Sequence, residues 1–148
     1  MRSLLTLCAV VLLASPLALA DPAAFRNIIG DAANIQMDAE AIVAMLKNSK
    51  FDQVQVKAES NSLSNHIAAL KADVEALDGT LQNLTAAQQK DWELAKTKVD
   101  LLQIYSNLKL IQLEADDAAK NRSSLRAHAN AVAVRAGMLQ RTVNRLDR

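Results

Sequence analysis

The sequence predicts an all-α protein: an up-down-up-down antiparallel four-helix bundle preceded by a cleavable signal peptide. The prediction depends on three observations: an apolar N-terminal segment, four later segments with apolar residues at alternating steps of three and four, and short polar breaks between them. Such steps keep apolar side chains on one face of a helix, where they form a continuous seam that can be buried. Short connections make consecutive helices antiparallel neighbours.

The first 20 residues have the layout of a secretory signal. Arg2 gives a short positive region, residues 4–13 form an apolar run, Pro16 interrupts the helix, and Ala18-Leu19-Ala20 fits a small-x-small cleavage site. The rival interpretation is an uncleaved membrane anchor, but a spanning helix needs about 20 apolar residues. We therefore expect a mature chain, residues 21–148, that is secreted or periplasmic.

The mature chain has the length of one domain and contains no cysteine, because Cys8 lies inside the predicted signal. A chain of this size can bury an adequate core without covalent cross-links. The lack of cysteine excludes cysteine nucleophiles, thiolate zinc sites and c-type haem attachment. No later apolar run is long enough to form a transmembrane segment.

The first two helices are predicted over residues 22–48 and 52–78. Asp21-Pro22 supplies a cap and a first-turn proline for the first helix. Asp78-Gly79 ends the second, where we expect glycine to take the left-handed capping conformation. The first seam consists of Phe25, Ile28, Ala32, Ile35, Ala39, Ile42 and Leu46, and the second of Val56, Ser60, Leu63, Ile67, Leu70, Val74 and Leu77.

The third helix is predicted over residues 85–116 and the fourth over residues 122–147. Thr85 and Gln88 form a capping-box pattern at the start of the third. Alanine alternates near the start of the fourth, but alanine is a poor strand former and the best helix former. The third seam is Leu94, Thr97, Leu101, Ile104, Leu108, Ile111 and Ala115, broadened by Trp92, Val99, Leu102 and Tyr105. The fourth seam is Leu125, Ala129, Val132, Ala136, Leu139, Val143 and Leu146.

Two stretches of the mature chain also carry a resemblance. The segments VKAESNSLSNHIAAL in the second helix and LTAAQQKDWELAKTKVDLL at the start of the third, together with the export signal, resemble a group of short bacterial secreted four-helix proteins. The resemblance covers the whole mature chain. It implies the same fold and compartment, and no activity, because none is assigned to that group.

Charge is distributed unevenly along the mature chain. From Lys120 onward there are seven basic residues and one acid, whereas residues 21–119 hold nine basic and 15 acidic residues. The asymmetry can indicate an anionic partner, or an acidic three-helix body that pairs with a basic fourth helix. We expect Arg135 to lie near Asp38 or Asp100. The residues that we expect to face solvent and to be available to an anionic partner are Arg141, Arg145 and Arg148.

The two histidines are predicted to flank their seams as partly exposed residues at helix interfaces. His66 and His128 would differ by roughly 13 Å in height along the bundle, at about 1.5 Å per residue, so they cannot share a metal ion. Met45 and His128 lie at comparable heights on neighbouring helices and form the one conceivable haem-ligand pair. With few aromatic residues to shape a porphyrin pocket, methionine as a gap filler is the preferred interpretation, and we expect no cofactor.

Glu114, Asp116 and Asp117 form the densest acidic group and are the weak candidates for a cation site. No glycine-centred calcium loop surrounds them, and a solvated loop is the preferred interpretation. Di-iron bundles need Glu-x-x-His pairs, which the chain lacks. We identify no catalytic residues, since the seams are regular and no hydroxyl or lysine has a histidine at an activating spacing.

The sequence therefore predicts a secreted or periplasmic bundle that acts by binding or scaffolding and is not an enzyme. Its expected partner is an unknown protein in the envelope or outside the cell, with weak anionic-surface contact through the fourth helix as a further option and no nucleic acid. Two alternatives remain open. One is a periplasmic bundle that binds a small ligand, metal or haem, and the other is an enzyme with an unrecognised site.

Overall fold

The computed structural model describes residues 22–106 and 108–146, with side chains for residues 24–102 and 111–146. The described chain is all-α, and its long helices pack as a bundle. The helices are α1 (Pro22–Lys47), α2 (Gln53–Asp78), α3 (Ala86–Ser106), α4 (Leu108–Asp116) and α5 (Ala118–Val143). The predicted signal peptide at residues 1–20 lies outside the described residues. Within the described ranges, no helix combines the length and apolar character that a membrane span requires.

The helices pack in a ring in which α1 lies between α2 and α5. Helices α3 and α4 close the ring on the opposite side, so together they occupy the place of the predicted third helix. Asp38 of α1 contacts His66 of α2, and Asp31 contacts Asp73, which gives the two helices opposite directions. Arg122, near the start of α5, likewise contacts the end of α1. Helix α1 is thus antiparallel to both α2 and α5.

Three of the four predicted seams are confirmed. Every seam residue of α1 and α2 is buried, and so is every seam residue of the predicted fourth helix. The mildly polar Ser60 is accommodated because its Oγ donates a 2.8 Å hydrogen bond to the carbonyl oxygen of Val56, one turn earlier. The seams of α1 and α5 also contain alanines, which allow the helix backbones to approach closely.

The predicted seam of the third helix is wrong in its first half. Leu94 is 41% exposed and Thr97 is exposed. The described core residues of α3 are Ala95 and three residues that were predicted to broaden the seam, Trp92, Val99 and Leu102. Trp92 explains this phase: its ring lies edge-on to Phe25 at 6.1 Å between centroids, and its Nε1 donates to Asp78 Oδ1 at 2.6 Å. Burial of this large ring sets the rotation of α3 about its own axis, so that a different face from the predicted seam is turned toward the core. In α4, Ile111 and Ala115 are buried as predicted.

The helix ends confirm one predicted cap and correct another. Thr85 and Gln88 form the predicted capping box, with Thr85 N donating to Gln88 Oε1 at 3.0 Å and Gln88 N to Thr85 Oγ1 at 3.2 Å. The prediction for Gly79 is wrong, because its φ of −70° is right-handed. The left-handed residue is Asn83, with φ 60°. Asparagine tolerates this conformation better than most residues.

The start of the last helix is also earlier than predicted. Residues 116–123 were expected to form a break, but α4 ends at Asp116 and α5 begins at Ala118. Asp117, the residue between them, is the N-cap of α5, and its side chain accepts a hydrogen bond from the backbone N–H of Lys120. This satisfies one of the backbone donors that the first turn of a helix leaves without an intrahelical partner.

Candidate functional site

Arg122, the first arginine of α5, serves the fold. Arg122 Nε donates to the carbonyl oxygen of Leu46 at 2.6 Å, and its Nη2 donates to that of Lys47 at 2.9 Å. These carbonyls end α1, where the helix has no intrahelical donors left and carries its partial negative charge. Arg122 therefore caps a neighbouring helix with its positive charge.

The predicted anionic-partner surface is only partly available. Arg145 is exposed, as predicted, but it is already occupied by an acid of the fold. It binds Asp91 of α3 in a bidentate pair, with Nε to Oδ2 at 3.1 Å and Nη2 to Oδ1 at 2.6 Å. This hydrogen bonding lowers the pKa of Asp91. Arg141 is exposed, as predicted. Arg148 lies outside the described residues.

Arg135 was expected beside Asp38 or Asp100. Its Nη1 donates to the carbonyl oxygen of Ala131 at 3.1 Å, one turn earlier in α5, and Asp38 pairs with His66. Arg135 also lines a groove between α3 and α5.

The three acids proposed as a cation site do not act together. Glu114 is buried and turned toward α5, Asp116 is exposed and pairs with Lys57 of α2, and Asp117 caps α5. Across the part of the chain that the structure describes, no three histidine, cysteine, aspartate or glutamate side chains form a group that could hold a metal ion.

Glu114 is the centre of a polar cluster that joins α4 to α5. Its Oε1 accepts from Ser124 Oγ at 2.5 Å, and its Oε2 lies 2.9 Å from His128 Nδ1. Two partners compensate for the burial of the carboxylate. The serine hydroxyl is bonded to the carboxylate, whereas activation of a serine nucleophile requires a bond to the histidine. This arrangement of hydrogen bonds is suited to holding two helices together.

Met45 and His128, the proposed haem-ligand pair, have different surroundings. Met45 is half-buried and packs against the hydrophobic core, while one ring nitrogen of His128 is occupied by Glu114. Both histidines are partly exposed residues at helix interfaces, as predicted. The sequence did not indicate that each would face a carboxylate of another helix.

A second polar cluster lies between α1 and α2. His66 Nδ1 is 2.7 Å from Asp38 Oδ2, and two helical turns away along the same interface Asp31 is hydrogen-bonded to Asp73. The Oδ2 atom of Asp31 is buried and has no hydrogen-bond partner. Burial, the hydrogen bond with Asp73 and repulsion from Asp73 raise the pKa of Asp31, and the nearby His66 opposes them.

The outer side of α3 and α5 carries the surface best suited to binding. A groove of about 180 Å³ runs between these helices, and we call it the α3–α5 groove. Leu94 and Met138, on opposite sides of it, are 41% and 44% exposed, and nearby Val134 is 51% exposed. The groove is lined by Leu94, Thr97, Lys98, Leu101, Arg135 and Met138.

The sequence prediction missed this groove because it placed Leu94 and Leu101 in the core seam. Trp92, Val99 and Leu102 were predicted only to broaden that seam. Together with Ala95 they form a second stripe with core spacing, which was the signal that could have identified the groove. Val134 and Met138 are four residues apart and share a face of α5, outside its seam.

Comparison with known proteins adds no relative. No protein-family model, curated protein or solved structure matches this chain significantly.

Proposed function

We propose that this chain is an exported, non-catalytic binding protein and that the outer side of α3 and α5 is its binding surface. The observation that carries the proposal is the concentration of exposed large apolar side chains around the α3–α5 groove. Leu94, Val134 and Met138 are each more than 40% exposed and lie on the two helices that border it. Clustered exposed apolar residues next to polar ones are typical of interaction sites.

Charge around the same surface supports a binding role. Lys98 and Arg135 line the groove, and Arg141 follows Met138 by three residues, which places it on the same side of α5. By contrast, the two carboxylate–histidine pairs connect α4 to α5 and α1 to α2. Both pairs therefore support the fold, and we propose no catalytic role for either.

The export part of the proposal rests on the signal-like first 20 residues. In that compartment the chain would meet envelope proteins, lipids and extracellular molecules. An up-down-up-down arrangement fits this role, because it leaves the outer side of each helix pair open.

The test compares three forms of the mature chain for what they retain from an envelope extract. Met138→Asp places a charge in the α3–α5 groove, and Met37→Asp places the same charge on an exposed methionine of α1. After washing, mass spectrometry identifies the retained proteins and lipids, and circular dichroism checks folding. We expect components that wild type and Met37→Asp retain and Met138→Asp loses. The same set with all three forms, or nothing retained by any, would refute the proposal.

A further inference from the structure

We infer that the α3–α5 groove binds a single-chain anionic amphiphile: a fatty carboxylate of medium length, with its chain on the leucines and its headgroup at Lys98 and Arg135. The inference rests on the proposed function, since it names a ligand for the same surface. It is carried by three properties of the groove, namely its apolar lining, its charge and its size.

The apolar part of the lining comes from both helices. Leu94 and Leu101 are two helical turns apart on α3, and Met138 faces them from α5. Leu94 and Met138 keep more than two-fifths of their surface in contact with water, so an alkyl chain lying between them would remove apolar surface from water on both sides. The unbranched methionine side chain adapts readily to a flexible ligand.

The charged part of the lining is entirely positive among the described residues. Lys98 and Arg135 approach the groove from opposite helices, and no described acid lines it. Lys96, two residues before Lys98, shows the contrast: it is bound to both Asp78 and Glu93 on the other side of α3. No ion pair of the described residues includes Lys98. An anionic headgroup would supply the negative charge that Lys98 lacks, and an arginine guanidinium matches the geometry of a carboxylate.

The size of the groove favours a small ligand over a protein. From Leu94 to Leu101 it extends about 10 Å, at about 1.5 Å per residue. A stable protein interface buries about 800 Å² on each partner, which is more than six lining residues of two helices can provide. An extended decanoate chain, by comparison, is of the same length as the groove.

Calorimetric titration of the mature protein with decanoate, below its micelle concentration, tests the inference. Butyrate has the same headgroup on a short chain, and decanol has the same chain without charge. We expect saturable binding of decanoate and at least tenfold weaker binding of butyrate and of decanol. Failure to bind decanoate, or equal binding of decanol, would overturn the inference.

Matched variants locate the site. Lys98→Gln removes a positive charge that would bind the headgroup. It should weaken decanoate binding about tenfold, which is the range of one charge-assisted hydrogen bond. Met138→Gln should weaken it severalfold. The controls Lys50→Gln and Met37→Gln change an exposed lysine and an exposed methionine elsewhere and should bind as wild type does. Equal affinities for all four variants would show that decanoate binds outside the α3–α5 groove.

The two proposals fail separately. If Met138→Asp loses an envelope protein while decanoate does not bind to wild type, the surface is a binding surface and the amphiphile is wrong. If decanoate binds in the groove but nothing retained from the envelope depends on Met138, the ligand site exists and the wider binding role is wrong.

Discussion

Leu102→Ala and Leu94→Ala test the phase of α3, because the same substitution is made about two turns apart in opposite environments. Leu102 is fully buried, and truncating a buried leucine in a close-packed core costs about 2–5 kcal/mol. Leu94 is 41% exposed and borders an open groove, so its truncation leaves no closed cavity and should cost at most about 1 kcal/mol. The predicted seam does not give this order, since it places both leucines in the core, with Leu94 in the seam itself and Leu102 among the residues that broaden it.

The assay is urea unfolding of both variants and wild type, followed by far-ultraviolet circular dichroism. Total stability is about 5–15 kcal/mol for a domain, so a difference of about 2 kcal/mol separates the two midpoints clearly. Equal slopes of the transitions would show that the variants unfold to the same extent. A loss of stability in Leu94→Ala equal to or greater than that in Leu102→Ala would refute the observed phase of α3.

Three further predictions address the polar clusters and the terminus. The pKa of Asp31 is raised in the fold, so its favourable contribution to stability is present below the ordinary value of 3.8 and is lost as pH rises through the folded pKa. Asp31→Asn should therefore raise the melting temperature at neutral pH. A gain in melting temperature that is no larger at neutral pH than at acid pH would contradict this. Arg122→Ala removes two charge-assisted hydrogen bonds to the last carbonyls of α1 and should destabilise by about 1–3 kcal/mol in urea unfolding, whereas Arg126→Ala, an exposed control one turn later, should have almost no effect. Mass spectrometry of exported protein should find Asp21 as the first residue, and an intact Met1 would contradict cleavage.

The sequence was sufficient for α1, α2 and α5 because each has one dominant apolar stripe. A single stripe has only one way to face a core, so its period determines both the helix and the buried residues. Helix α3 differs, because Leu94 and Leu101 belong to one stripe and Trp92 and Val99 to another, two residues earlier. Spacing cannot choose between two stripes of the same period. The size of Trp92 and its contacts with Phe25 and Asp78 made that choice.

The candidate surface was hidden for the same reason. Once both stripes are assigned to one broad core face, the remaining outer side of α3 carries no apolar stripe, and α5 has no apolar partner with which to form a groove. The contacts between helices were a separate difficulty. The Asp91–Arg145 and Glu114–His128 pairs depend on both the rotation and the height of two helices, and a periodic pattern specifies neither. The cap at Asp117 was also missed, although an aspartate before a helical segment is a known N-cap signal, because the last helix was predicted to begin at residue 122.

The charge asymmetry between the acidic body and the basic last helix now has a divided explanation. Arg122 is used to cap α1 and Arg145 to bind Asp91 of α3, so part of the positive charge holds α5 against its neighbours. That part would have to be released before it could serve a partner, and releasing it would loosen the bundle. Lys98 and Arg141 are not committed in this way by any described ion pair, and both lie on the side of the bundle where apolar side chains remain exposed. The positive charge that has no partner in a described ion pair therefore lies next to the apolar groove. An amphiphile with an anionic headgroup is the kind of ligand that binds both to positive charge and to apolar side chains.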